Sequence, residues 1–289
     1  MPAVRVVLLA ALLTLASTSA AHAEFGIDLA TGGLTAKDGL FSRQAGEHAD
    51  LNVRIELPRT AANKADGSVR DVKVDLPVGL LGNPTVAQTC DFDQLVVNGP
   101  APNCPIASQI GIARITTDPA IGRDQDPDIF AAVYNMRRPV DAPGLFAFNY
   151  AGAALKIVPR VRPGDFGISA DSLALVQAQP PFYVDVTLWG VPADPSHDSE
   201  RFDPQAVSFG VPSPDVRKAF MSNPTSCSGR PALFTVSADT WENPGAFISK
   251  SFDQDRDGTP FVFTGCDRVP FKPSTNVQPL AHVADAPTG

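Results

Sequence analysis

The chain has 289 residues, 23 Lys and Arg against 31 Asp and Glu, a net charge of −8, and 28 prolines. A mildly acidic chain with no Lys/Arg run or basic stripe argues against a nucleic-acid or anionic-membrane partner. Proline at about twice its average share interrupts helix interiors and central strands, so short strands joined by stiff loops are expected.

Residues 1–23 read as a leader. Arg5 gives the positive flank, Val6 to Leu15 is almost unbroken apolar, and Ala21-His22-Ala23 fits a small-x-small cleavage site. The apolar run falls short of the about 20 residues that cross a bilayer. An exported chain starting at Glu24 is expected, with no later membrane span. Residues 24–48 carry little pattern. Asp50 to Leu57 alternates, with Leu51, Val53, Ile55 and Leu57 on one face, and Val72, Val74 and Leu76 continue the theme after a loop with Asp66-Gly67. These two runs read as antiparallel neighbours.

A polar excursion lies between Cys90 and Cys104, with one helical turn over 91–95, and a strand resumes at 109–116. Further strands are expected at about 129–136, 144–150, 153–161, 165–174 and 182–190, separated by Gly- and Pro-containing turns, which suits a meander. A short helical piece is expected near Pro214–Met221, and strands at 207–211, 233–241, 246–252 and 260–265. Residues 24–275 form the β-rich region, with points of subdivision near 119–128 and 213–226, and 276–289 form an extended tail.

Four cysteines in an oxidising compartment allow three pairings. Cys90–Cys104 and Cys227–Cys266 are favoured because the members of each pair flank turn-rich segments. No Cys-x-x-Cys or neighbouring histidine pair suits zinc. The fold class that follows is all-β: antiparallel, sandwich-like sheets with Pro-rich loops and two disulfides.

Three groups of residues carry candidate chemistry. Asp253, Asp255 and Asp257 alternate before Gly258 as in a calcium loop, the only cofactor suggested, although Thr264 stands where a bidentate Glu would be needed. The alternative is a solvated acidic turn, and Asp124–Asp128 is a weaker one. Tyr183, Trp189 and Trp241 offer an aromatic platform for a sugar chain, against the alternative that the tryptophans are core residues. The stretch Phe182–Arg201 is the most distinctive. An alternating strand runs into a polar turn with Asp194, His197 and Asp198, residue types used in acid–base work. No Gly-x-Ser-x-Gly elbow accompanies them, and the plainer reading is an Asx-type turn.

Five phrases stand out as words: Asp75-Leu76-Pro77-Val78-Gly79-Leu80-Leu81-Gly82-Asn83-Pro84, Cys104-Pro105-Ile106-Ala107-Ser108-Gln109-Ile110-Gly111, Leu188-Trp189-Gly190-Val191-Pro192-Ala193-Asp194-Pro195-Ser196-His197-Asp198, Asn223-Pro224-Thr225-Ser226-Cys227 and Thr264-Gly265-Cys266-Asp267-Arg268-Val269-Pro270-Phe271. Together they resemble a family of large, uncharacterised secreted or surface proteins of high-GC, actinobacteria-like bacteria. The resemblance implies two sets of cysteine words, in line with the favoured pairing, and no catalytic residues. The functional expectation is a non-catalytic secreted or cell-surface structural or adhesion-type module. Its partner would be a cell-envelope or extracellular polysaccharide or protein. The alternatives are a calcium-stabilised carbohydrate-binding module and a secreted hydrolase using His197 with Asp194 or Asp198.

Overall fold

The computed structural model describes residues 25–60, 64–96, 101–117, 128–150, 152–177 and 179–270. The expected leader, the tail and most of the acidic turn at 124–128 lie outside them. The strands are β1 (Leu29–Thr35), β2 (Asp50–Glu56), β3 (Val69–Asp75), β4 (Leu81–Gly82) and β5 (Gln109–Thr117). They continue with β6 (Asp128–Asn135), β7 (Phe146–Tyr150), β8 (Ala153–Val161), β9 (Ile168–Ser172) and β10 (Pro181–Leu188). The last are β11 (Phe202–Asp203), β12 (Ser208–Phe209), β13 (Met221–Ser222), β14 (Phe234–Thr240) and β15 (Ile248–Phe252).

Eleven of them form one antiparallel sheet, in the order β1-β2-β10-β5-β6-β7-β8-β9-β3-β14-β15. The end strands approach each other, because Lys250 of β15 donates to the carbonyls of Ile27 and Asp28 just ahead of β1. The expected all-β, antiparallel architecture is therefore a single continuous sheet rolled nearly shut. Facing walls belong to the same sheet, which removes most of the exposed edge.

Period-two alternation fixes what lies inside. Val184, Val186 and Leu188 of β10 stand opposite Ile55, Val53 and Leu51 of β2, and opposite Ile115, Ala113 and Gly111 of β5. The inward set continues through Phe146 and Phe148, opposite Ile157 and Leu155, and through Val72 and Val74, opposite Ser172 and Ala170. A one-residue slip in any strand would turn its apolar set outward, so this pattern also sets the register.

The excursion between the first cysteines covers the outer face of β6 and β7. Leu95, Cys90 and Cys104 pack there with Ala132, Tyr134, Ala147 and Phe202. Leu95 sits on the single helical turn α1 (Phe92–Leu95), whose N-terminus is closed by a capping box between Asp91 and Gln94. Both disulfides are formed as favoured, Cys90–Cys104 with a Cα–Cα distance of 5.3 Å and Cys227–Cys266 with 5.9 Å.

Five local expectations need correcting. β2 and β3 are not neighbours: β2 lies between β1 and β10, and β3 between β9 and β14. The weakly patterned residues 24–48 contain β1. Residues 214–219 take no helical form, since Pro212 and Pro214 favour extended backbone. Residues 260–265 form no strand, but Phe261 and Phe263 are buried and pack on Phe41. The meander holds from β6 to β9, whereas β10 leaves it to insert between β2 and β5. At the two points of subdivision, β5 and β6 pair across 118–127 and Phe220 and Met221 join the main core.

Candidate functional site: an apolar chamber beside a buried ionic knot

The inward side chains do not meet everywhere. Between β2, β10, β7, β8, β9 and β3 they enclose a chamber of about 180 Å³. Its wall is aliphatic and aromatic, with Val53, Val74, Leu155, Ala170, Val186 and Phe148 as representative members, and Ser172 is the one hydroxyl side chain in it. Val53, Val74, Leu155, Ala170 and Val186 point inward yet are only half-buried, as expected for side chains that face open space. Apolar cavities of about 150 Å³ stay dry and accept small apolar molecules such as benzene.

The chamber reaches the surface at one end of the sheet. This is the end where β10 finishes, where the β6–β7 and β8–β9 hairpins turn, and where the chain leaves β3. Leu81 lines the chamber and is 55% exposed, and the exposed Pro143 of the β6–β7 hairpin also lines it. A small ribbon crosses this end, formed by β4 paired with β13. Phe220 and Met221 N–H groups donate to the Gly190 carbonyl at 2.8 and 3.1 Å, Asn83 N–H donates to Phe220 O, and His48 Nδ1 donates to Met221 O at 2.9 Å. The ribbon is thus pinned to the turn that follows β10.

That turn is the ionic knot. Gly190 lies so close to His48 O that a Cβ would stand 2.1 Å from it, and its N–H donates to Asp50 Oδ1 at 2.6 Å. Asp194 caps the 3₁₀ turn Pro195–Glu200 by accepting from Ser196 N–H at 3.1 Å, and it pairs with Lys37. His197 stacks on Trp189, ring centroids 4.7 Å apart, with Nε2 3.5 Å from Asp50 Oδ1. Arg201 is fully buried, donates to Pro192 O at 2.7 Å and lies over the Trp189 ring.

Burial sets the ionisation of this group. It pushes the Asp50 carboxyl up to about 6, helped by repulsion from Glu200 and Asp194 and opposed by the Gly190 N–H. Burial, with the Arg201 guanidinium, pulls His197 down to about 4. Asp194 is raised by burial, but the hydrogen bonds from Lys37 and Ser196 outweigh that and hold it at about 2. Burial also raises Glu200 and lowers Arg201.

Of the residues singled out in the sequence, Asp194, His197 and Asp198 are brought together, with Trp189 among them. Their bonds run into the fold: the Ser196 hydroxyl goes to Asp194 Oδ1 at 2.9 Å, and Asp198 Oδ1 accepts from Ser213 N–H and Arg201. Tyr183 lies at the other end of β10 from Trp189, its hydroxyl 3.2 Å from Asp185. Trp241 follows β14 and donates to Leu175 O. The three rings form no common platform, and Trp189 is completely buried. In the acidic turn, Asp255 Oδ1 accepts from Asp257 and Thr259 N–H groups at 3.0 and 2.7 Å, while Asp253 and Asp257 face solvent. Among the described residues, no three His, Cys, Asp or Glu side chains are grouped so as to hold a metal ion.

The chamber escaped the sequence reading because alternation says which side chains face inward, not whether they meet. The available signal was a small inward residue facing a valine, as Ala170 faces Val74 and Ala113 faces Val186. No family model, no curated protein and no solved structure matches this chain.

Proposed function

We propose that the protein is a non-catalytic, exported β module that shelters an apolar ligand inside its rolled sheet. The observation that carries this reading is the chamber, whose wall offers one hydroxyl side chain and reaches the surface. Binding sites for small molecules are concave and mostly apolar with a few polar groups, whereas sugar sites require many hydrogen-bonding side chains along the wall. The two disulfides, and the lack of any helix long and apolar enough to cross a membrane among the described residues, accord with an extracellular setting. The leader expected from residues 1–23 would suit the same compartment. The knot supports a structural role for His197, since its ring is stacked inside the protein and the neighbouring serine hydroxyl serves Asp194.

The test is a titration of the oxidised chain from Glu24 onward with fluorobenzene, a probe the size of the chamber, followed by 19F NMR. Saturable one-to-one binding is expected. Ala170→Phe, which fills the chamber from β9, weakens it at least tenfold while the far-UV spectrum and unfolding transition persist. A folded chain that gives no saturable binding contradicts the reading.

A further inference from the structure

Five exposed apolar side chains stand around the chamber opening. Val140 (94% exposed) is on the β6–β7 hairpin, Val161 (54%) and Phe166 (75%) are on the β8–β9 hairpin, and Val78 (56%) and Leu81 (55%) follow β3. Strands β6, β7, β8, β9 and β3 are consecutive in the sheet, so these tips are successive points on one rim. Exposed apolar surface gathered at one end of a sheet marks an interaction site where residues scattered singly would not. Leu81 belongs to both the rim and the chamber wall, so apolar surface runs without a break from solvent into the interior.

Phe166 is the most informative member. Its backbone is left-handed, with φ 57°, a conformation that costs a bulky residue about 1 kcal/mol or more and is commoner for Asp, Asn or Gly. The ring is not buried, so folding does not repay that strain. The flanking residues hold the tip in this form, since Arg162 bonds Asp165, Ile168 O and Leu76 O.

Three of the four rim arginines are matched by carboxylates, and the fourth, Arg138, donates to Ala142 O beside the exposed Asp141. Arg162 pairs with Asp165 and Asp75, Arg160 with Asp171, and Arg137 with Asp91. The tips therefore present hydrocarbon backed by neutralised arginines, which suits a zwitterionic lipid surface better than an anionic one.

We infer that this end of the barrel docks on a lipid surface and that the chamber receives the end of a hydrocarbon chain drawn from it. The inference rests on the chamber reading and names its ligand class: a lipid acyl or alkyl chain. With water-sized groups taking about 30 Å³ each, the chamber holds the last six or so methylene-sized units. The rest of the lipid stays among the rim residues.

The experiment pairs two readouts on three proteins. Co-flotation with phosphatidylcholine vesicles reports docking, and fluorobenzene binding without vesicles, read by 19F NMR, reports the chamber. The wild-type chain is expected to float with vesicles, with little change between low and high salt. The double variant Val140→Asp with Phe166→Asp loses vesicle binding at least tenfold and keeps the probe. Asp accepts the Phe166 backbone conformation more readily than Phe, so this variant retains the fold. Ala170→Phe keeps vesicle binding and loses the probe. A wild-type chain that binds the probe but not vesicles overturns the lipid-docking inference and leaves the chamber reading standing. A chain that binds no probe overturns the chamber reading itself. Self-association that disappears in the double variant, without vesicle binding, assigns the rim to a second copy of the chain and also overturns the inference.

Discussion

Asp50 and His197 sit 3.5 Å apart, and burial shifts them in opposite directions, to about 6 and about 4. The folded state binds a proton at Asp50 more tightly than the unfolded chain, so that contribution is present at low pH and is lost as pH rises through about 6. His197 does the reverse: its contribution is present above the ordinary imidazole value and is lost as pH falls through about 4. Each shift corresponds to about 3 kcal/mol at most, by about 1.4 kcal/mol per pH unit. The two oppose each other, with the half-buried Glu200 acting on the side of Asp50, so His197 offsets part of what Asp50 contributes between pH 4 and 6.5. Asp50→Asn removes one side of the balance, so the urea midpoint of that variant should climb as pH rises from 4 to 6.5. A flat profile for Asp50→Asn would contradict the burial assigned to His197. The sequence showed that Asp194, His197 and Asp198 share a turn. It could not show that Asp50 and Lys37, more than 140 positions earlier, complete the group, because that contact depends on β2 lying beside β10.

At the scale of elements, strands were legible wherever apolar and polar residues alternate without interruption, as in β2, β5, β8 and β10. β1 was not, because its Leu-Ala-Thr-Gly-Gly-Leu-Thr run lacks the side chains that make alternation visible. Gly32 is required there, since a Cβ would stand 2.2 Å from Asn52 O across the pair with β2. Neighbour relations were harder to read. The loop between β2 and β3 resembles a hairpin connection, yet β2 satisfies both its edges with β1 and β10. Closure between β1 and β15 relies on Lys250, and a single exposed side chain contributes at most about 1 kcal/mol. Lys250→Ala should therefore speed amide exchange along the facing edges of β1 and β15 while global stability moves by less than about 1 kcal/mol. Equal acceleration in β5 and β10 would show that the seam is not a separate opening unit. The disulfides make a second element-scale prediction. Closing loops of 14 and 39 residues removes unfolded-chain entropy worth about 3 and about 4 kcal/mol. Replacing Cys227 and Cys266 by Ser should lower stability at least as much as replacing Cys90 and Cys104. Only the latter pair should unseat Leu95 from the outer face of β6 and β7, as read by methyl NMR.

Over the whole molecule, one sheet divides its apolar content between two jobs. Where Phe41, Phe234, Phe252, Phe261 and Phe263 crowd together, the interior is filled by aromatic rings. On the opposite wall, small and β-branched residues line an interior that stays open. β10 connects the two levels of the account, since its inward valines line the chamber and the turn after it anchors the ribbon across the opening. The most direct measurement is a methyl-labelled NMR titration of the oxidised chain with a short alkane such as hexane. Saturable shifts are predicted at Val53, Val74, Val184, Val186 and Leu188, with none at Leu95 in the outer cluster and none anywhere in Ala170→Phe. Unchanged chamber methyls at saturating alkane, or shifts spread evenly over both clusters, would contradict an apolar ligand held inside the sheet.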